Sequence, residues 1–225
     1  MNRYLRCLHV VASAVLITTL HAYCSGGASQ ESPSVDEERV RQLLEVLGKK
    51  APAIPVPKEI EQTKDRAARE AYWAQRQARF AAFDAQINAA TDGLAAMGNG
   101  IIDRLIREYH KPVGAPRHRI IVVLAKIGTS KARDALLDIA TAKYNPDRTS
   151  YSSWAARNFV KIAPDKEAIL QLLRSDDPEV IGVALQHLSG VAVDGRLLGS
   201  LRGFLQSTTY HLRTHAASVL VNDSS

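Results

Sequence analysis

The chain has 225 residues, of which 46% are hydrophobic and 23% charged, a balance that excludes a disordered protein and indicates one or two folded domains. Cys7 and Cys24 are the only cysteines, so the chain after residue 24 cannot hold a disulfide, a cysteine zinc site or a thiol nucleophile. The formal net charge of +6 is interpreted as a mild basic bias spread over the chain without a concentrated stripe, which argues against a nucleic-acid partner.

The first 28 residues have the layout of a secretory signal peptide. Two arginines precede an apolar run of 14 residues, 7–20, which is short for a membrane span. Gly26 and Ala28 then supply small residues at the spacing required for cleavage after Ala28. We therefore predict that residues 1–28 are a signal peptide and that the remainder is exported to the periplasm or the envelope.

Two alternatives to simple cleavage remain open. In the first, Cys24 is lipidated and tethers the protein to a membrane. Tyr23 is bulky for a lipoprotein signal, whereas the following CSGGASQ resembles a flexible tether. In the second, the apolar run stays uncleaved as an anchor. Both alternatives predict membrane attachment through the N-terminus, and all three place the rest of the chain outside the cytoplasm.

Residues 29–57 are predicted to form a linker that contains one short helix and a proline-rich stretch. Ser34 or Asp36 can cap this helix, and Gly48 marks its end. The three prolines between residues 52 and 57 favour an extended chain, which we interpret as a spacer rather than a docking peptide.

Residues 58–86 are predicted to be a helical lead-in, in one piece or two, whose helix continues to Met97. Its second part places apolar residues at alternating gaps of three and four, which predicts one face packed on a neighbouring helix. This seam comprises Phe80, Phe83, Ile87, Ala90, Leu94 and Met97. Trp73 lies off the seam and is either a core or a contact residue.

From residue 87 to residue 225 the same apolar skeleton recurs, and its last copy is incomplete. A small or apolar residue is followed four positions later by a larger apolar residue. In the first four units a third apolar residue comes three positions after that, usually just before a small residue at a turn. The units are offset by 30, 35, 26 and 35 residues, and such periods indicate stacked helical hairpins. The first two positions of each unit are Ala90 and Leu94, Ile120 and Leu124, Ala155 and Phe159, Ile181 and Leu185, and Ala216 and Leu220.

The segments LAAMGNGIIDRLI, LAKIGTSKARDALLDIA and FVKIAPDKEAILQLL resemble HEAT repeats, in particular the short bacterial type related to the phycobilisome lyase repeats. The resemblance implies an all-α fold, a right-handed α–α superhelix (a HEAT-like solenoid), here preceded by a long helix and the N-terminal signal segment. It also implies a role in protein–protein interaction, which is the usual role of the family.

Three patterns that could carry chemistry are better explained by structure. KIGTSK lacks the second glycine of a phosphate loop, so Thr129 or Ser130 is expected to cap a helix. His211 and His215 share a helix face but have no carboxylate nearby, and residues 176–179 offer too few oxygens for calcium. We predict no catalytic residues, no metal and no cofactor.

The longest inter-repeat loop, KYNPDRTSYSSW at residues 143–154, is the predicted contact region. Insertions in solenoids often lie on the binding face, and aromatic and arginine side chains are frequent interaction hot spots. The residues of this prediction are Tyr144, Arg148, Tyr151 and Trp154. The competing interpretation is that Tyr151 and Trp154 pack into the core at the start of the next helix.

The leading hypothesis is therefore an exported, non-enzymatic scaffold module that binds a protein or an extended peptide on the solenoid surface. The alternatives are a structural protein of the envelope tethered through lipid on Cys24, and, with less support, an enzyme that resembles the HEAT-type lyases.

Overall fold

The computed structural model describes residues 36–142, 149–189 and 191–223, all of which belong to one compact unit, Val35–Ser225. In these ranges the chain forms helices and no strand, which confirms the predicted all-α class. No described helix combines the length and the apolar character needed to cross a membrane. The α-helices are α1 Glu37–Gly48, α2 Lys58–Gln62, α3 Arg66–Ala95, α4 Ile102–Tyr109, α5 Arg117–Ile127, α6 Ser130–Thr141, α7 Thr149–Ile162, α8 Lys166–Leu172, α9 Pro178–Leu188, α10 Gly195–Leu205 and α11 Tyr210–Asp223.

Six described helices begin with a side-chain cap, in which an oxygen accepts a hydrogen bond from a free backbone N–H of the first turn. Thr129 caps α6 by accepting from the N–H of Ala132, which confirms the turn interpretation of KIGTSK. The other capping side chains are Asp36, Asp65, Asp165, Asp177 and Asp194.

Two turns of the repeat depend on glycine. Gly98 and Gly128 have φ angles of 60° and 65°, a left-handed conformation that costs other residues energy because of their Cβ atoms. Gly128 ends α5, and its N–H donates to the carbonyl of Leu124. The chain can therefore reverse within two residues, and α6 packs back on α5.

The helices contact one another in a regular order. Helices α1, α3, α5, α7, α9 and α11 each contact the next member of this series, and α4 contacts α6, which contacts α8. Most helices adjacent in the chain also pack together, with α6 and α7 sharing an extensive contact. Each hairpin thus buries its apolar face against its neighbours rather than against itself alone.

The apolar skeleton of the predicted repeats forms the core. Leu94, Leu124, Phe159 and Leu185 are all buried, and so are the small or apolar residues four positions before them. Leu220 in the last unit is only partly buried. The spacing of Leu197, Leu198, Leu201 and Leu205 predicts one apolar face of the second helix in the fourth unit, and Leu205 departs from it, because this residue in the last turn of α10 is 37% exposed.

Polar contacts also join successive hairpins at a nearly constant sequence separation. The residues in each contact are 28 to 34 positions apart, close to the predicted repeat offsets. They are exposed and therefore individually weak, and they join the first predicted unit to the second, the third to the fourth and the fourth to the fifth. The contacts are Asp92–Lys126, Asn99–Thr129, Asp103–Lys131, Lys166–Asp194, Glu167–Arg196 and Ser189–Asn222.

The N-terminal elements pack along α3, which begins after a break at residues 63–65, as the two-piece prediction of the lead-in requires. The proline-rich stretch is extended as predicted, but it is more than a spacer. Tyr72 of α3 donates a hydrogen bond to the carbonyl of Pro55 at 2.8 Å, and alternate residues of the stretch, 52, 54 and 56, are half-buried. The stretch is therefore held on α3 of its own chain.

Candidate interaction site

The predicted contact loop is shorter than the sequence indicated, because α7 already begins at Thr149. Tyr151 and Trp154 therefore lie in the first turns of a helix and not in a loop. The sequence reading missed this start because the apolar spacing of the repeat begins only at Ala155. Tyr144 and Arg148, the other two residues of the prediction, lie outside the described residues.

Arg117 and His118 at the start of α5 complete the site, and neither was predicted to belong to it. The Nε and Nη2 atoms of Arg117 donate to the carbonyls of Tyr109 and Lys111, at 3.1 and 2.5 Å. These bonds join the end of α4 to the start of α5 and fix the guanidinium. His118 follows directly and points to α7.

The rings of α5 and α7 meet at tilted and edge-to-face angles across the contact between these helices. The His118 ring centroid lies 4.5 Å from that of Tyr151 and 6.0 Å from that of Trp154. The Arg117 guanidinium carbon lies 5.6 Å from the Tyr151 centroid and 5.9 Å from that of Tyr109, within the range of cation–π attraction. We call these five residues, Tyr109, Arg117, His118, Tyr151 and Trp154, the aromatic patch.

Burial changes across the aromatic patch. Tyr109 is buried and Tyr151 is packed against the core, as the competing interpretation of the sequence expected for Tyr151. Trp154, by contrast, is 39% exposed, one of the few large apolar side chains that the described residues leave open to solvent. The patch thus has a fixed base, formed by Tyr109 and Tyr151, and an exposed edge, formed by His118 and Trp154.

The electrostatics of the patch favour a neutral imidazole. Contact with the two rings removes water from His118, and this desolvation lowers the pKa of its side chain below the usual value. Arg117 then supplies the permanent positive charge of the patch. At neutral pH the exposed edge therefore consists of two neutral rings, His118 and Trp154.

A cavity of about 590 Å³ lies beside the aromatic patch, between α4 and α6. Its apolar floor comes from Ile102, Ile106 and Ile139. Tyr109 and Ser152, from the patch and from the residue after Tyr151, also line it. Its volume lies within the roughly 300–1,000 Å³ of small-ligand pockets, and it can accept one or two side chains of a partner.

The predicted histidine pair is divided between two environments. The His211 and His215 ring centroids lie 6.5 Å apart. His215 shares a hydrogen bond of 3.1 Å with Gln186, whereas Nε2 of His211 is buried without a partner and packs near Gly182. Within the described ranges, no three histidine, cysteine or acidic side chains are grouped closely enough to hold a metal ion.

The acidic run at residues 176–179 is a helix start, as predicted. Asp177 caps α9, with Pro178 at its first position, by accepting from the N–H of Glu179 at 3.0 Å. Its side chain is only 1% exposed and its Oδ2 has no hydrogen-bond partner. Burial therefore raises the pKa of this carboxyl group above its usual range.

Comparison with known proteins identifies no family. No family model matches the chain, and no curated protein matches it. The crystal structure of an engineered protein is similar at a TM-score of 0.36 and 18% identity, over 85% of this chain and 93% of that one. Similarity this low carries no argument about function, and the resemblance to HEAT repeats stays a prediction.

Proposed function

We propose that this chain is a HEAT-like interaction module that binds a protein or an extended peptide through the aromatic patch. The single observation that carries the proposal is the 39% exposed Trp154, which meets His118 edge-to-face on a fixed base and lies beside a 590 Å³ cavity. The proposed role is binding, and no chemical step is assigned to these residues.

The proposed architecture is a right-handed superhelix of helical hairpins. Its support is the order of helix contacts and the polar contacts between residues 28 to 34 positions apart. A regular stack of this kind holds α5 and α7 in a fixed arrangement and leaves the surface that they share accessible to a partner.

The aromatic patch suits a binding role because its side chains are already ordered. Tyr151 packs on the core, and Arg117 is fixed by two backbone carbonyls. A partner therefore has little side-chain entropy to remove when it covers Trp154. Burial of a tryptophan at the centre of an interface typically contributes about 2 kcal/mol or more to binding.

The proposed location is outside the cytoplasm. This part of the proposal depends on residues 1–28 and on their signal-like layout, or on lipid attached to Cys24, all of which lie outside the described residues. An exported scaffold and a tethered envelope protein would use the aromatic patch in the same way.

Photo-crosslinking tests the proposed surface directly. A benzophenone amino acid replaces Trp154 in the full chain, and the protein is irradiated in the cells that make it. We expect a discrete crosslinked partner that is lost when Tyr151→Ala is added, because the fixed base of the patch is then removed.

Tyr210 provides the matched control. It is an exposed aromatic residue on α11, whose main contacts are with α9 and α10. The same crosslinker at Tyr210 should not capture the same partner. If positions 154 and 210 give identical products, or if position 154 gives none, the aromatic patch is not the binding site.

A further inference from the structure

A second surface feature is an open groove between the proline-rich stretch and α3. The groove has a volume of about 460 Å³. Its apolar floor is formed by Pro52, Ala82 and Phe83. Lys49, Lys50, Arg79 and Gln86 also line it. We call this feature the basic groove, and it lies on different helices from the aromatic patch.

The walls of the basic groove are held in position by two sets of contacts. The bond from Tyr72 to the carbonyl of Pro55 keeps the proline-rich stretch beside α3. Arg119 donates to the carbonyls of Leu47 and Lys49 at the end of α1, and its guanidinium carbon lies 5.4 Å from the Phe83 ring centroid. The groove is therefore preformed, and a ligand does not have to open it.

All charged side chains that line the basic groove are positive. None of the described residues that line it is acidic, and Lys49, Lys50 and Arg79 form no ion pair with any described residue. Residues 49–79 as a whole carry eight basic and four acidic side chains, a net +4. The earlier interpretation of an evenly spread charge missed this concentration.

Three unpaired cations around an apolar floor define the complementary ligand. Carboxylates of a ligand would meet the cations, and an apolar side chain between them would meet Phe83 and Pro52. Lys49 and Lys50 at one wall and Arg79 at the other require carboxylates on both sides of that apolar side chain. A peptide segment can present an apolar side chain with a carboxylate on each side of it.

We infer that the basic groove binds a short acidic peptide segment in which an apolar side chain is flanked by glutamate or aspartate. The groove is shallow, so the interaction is weak by itself and depends on salt, because exposed charges are screened. It would add a second contact to a partner held at the aromatic patch, or bind a different partner independently.

Fluorescence anisotropy with a labelled peptide tests this inference. The probe is a peptide of alternating Glu-Glu-Leu triplets added to the full chain at low salt. The groove variant is Lys49→Glu, Lys50→Glu and Arg79→Glu together. We expect its Kd to rise at least tenfold, because three attractive contacts become repulsive, and we expect a peptide with Ser in place of Leu to bind the wild type several-fold more weakly.

The control variant changes the net charge by the same amount as the groove variant, but at residues away from the basic groove. Arg157, Lys161 and Arg174 are exposed, form no ion pair with a described residue and lie on or after α7 and α8. Their triple substitution to Glu should change the Kd less than threefold. Circular dichroism verifies the fold of both variants, and Lys49→Gln, Lys50→Gln and Arg79→Gln replaces the groove variant if the first does not fold.

Three results would overturn the inference. The first is a wild type that does not bind the peptide, and the second is an equal loss of binding in both triple variants. The third comes from vesicles containing anionic lipid: if they bind the wild type through the same three cations while the peptide does not compete, the groove contacts a membrane surface instead.

Discussion

Residues 66–86 and residues 87–95 belong to the same helix, α3, but they are held in different ways. In the first range, all of which the structure describes, no side chain is buried, and Trp73 is 41% exposed. In the second range Ile87, Ala90, Thr91 and Leu94 are buried. One continuous helix is thus both a surface element and a core element.

The difference shows what keeps each half helical. The first half relies on local interactions: the Asp65 cap, the 2.6 Å ion pair of Arg66 with Glu70, and several alanines of high helix propensity. The second half relies on burial against α1 and α5. Local interactions leave the side chains of the first half free to contact something else, and Arg79 of the basic groove is one of them.

The largest expected effect compares one apolar residue from each half of α3. Leu94→Ala should lower the free energy of unfolding by about 2–5 kcal/mol, because it leaves a cavity in a fully buried site. Phe80→Ala, at a half-exposed site, should lower it by about 1 kcal/mol or less. Urea unfolding followed by circular dichroism measures both. Similar losses for the two variants would show that residues 66–86 are packed in solution.

Much of the repeat region, from residue 87 onward, could be predicted from the sequence for a physical reason. Positions such as Leu94, Leu124 and Phe159 must face the core because gaps of four and three place them on one side of each helix. The spacing is local, and it specifies burial without any knowledge of the partner helix. The turn at Gly128 was predictable in the same way.

The candidate sites were less predictable, because their residues meet only after folding. Tyr151 and Trp154 could be singled out by residue type, but their ring contacts with His118 depend on how α5 is rotated against α7. In the basic groove Lys50 and Arg79 are 29 residues apart and are brought together by the folded-back proline-rich stretch. A window count of charge was the one sequence signal that could have found that groove.

A second comparison uses two helix caps, one in the repeat region and one at the start of α3. Asp177 caps α9 in a buried site, whereas Asp65 caps α3 in an exposed one. Because burial raises the pKa of Asp177 in the folded state, the folded protein binds more protons than the unfolded one as the pH rises above 3.8. Asp177 therefore contributes less stability at pH 6 than at pH 3.

Asn caps helices as well as Asp, so Asp177→Asn removes the charge and keeps the cap. We expect the stability of this variant relative to the wild type to increase between pH 3 and pH 6, as measured by urea unfolding at each pH. Asp65→Asn is the matched substitution at the exposed cap. The same pH dependence for both substitutions would contradict burial as the cause.

The smallest expected effect concerns the exposed side of α3 itself. The guanidinium carbon of Arg76 lies 5.1 Å from the Trp73 ring centroid and 5.4 Å from that of Phe80, and its Nε is buried without a hydrogen-bond partner. A planar guanidinium can stack between two rings, whereas an ammonium cannot. Arg76→Lys should therefore cost only about 0.5 kcal/mol, the value typical of an exposed cation–π contact.

Trp73 fluorescence gives a sharper measurement of this contact than stability does. In a Trp154→Phe background Trp73 is the only tryptophan, and Arg76→Lys should shift its emission to longer wavelength as the ring becomes more hydrated. Arg79→Lys is the matched control, because Arg79 makes no ring contact among the described residues. An unchanged emission in Arg76→Lys would mean that Arg76 does not order the rings of Trp73 and Phe80.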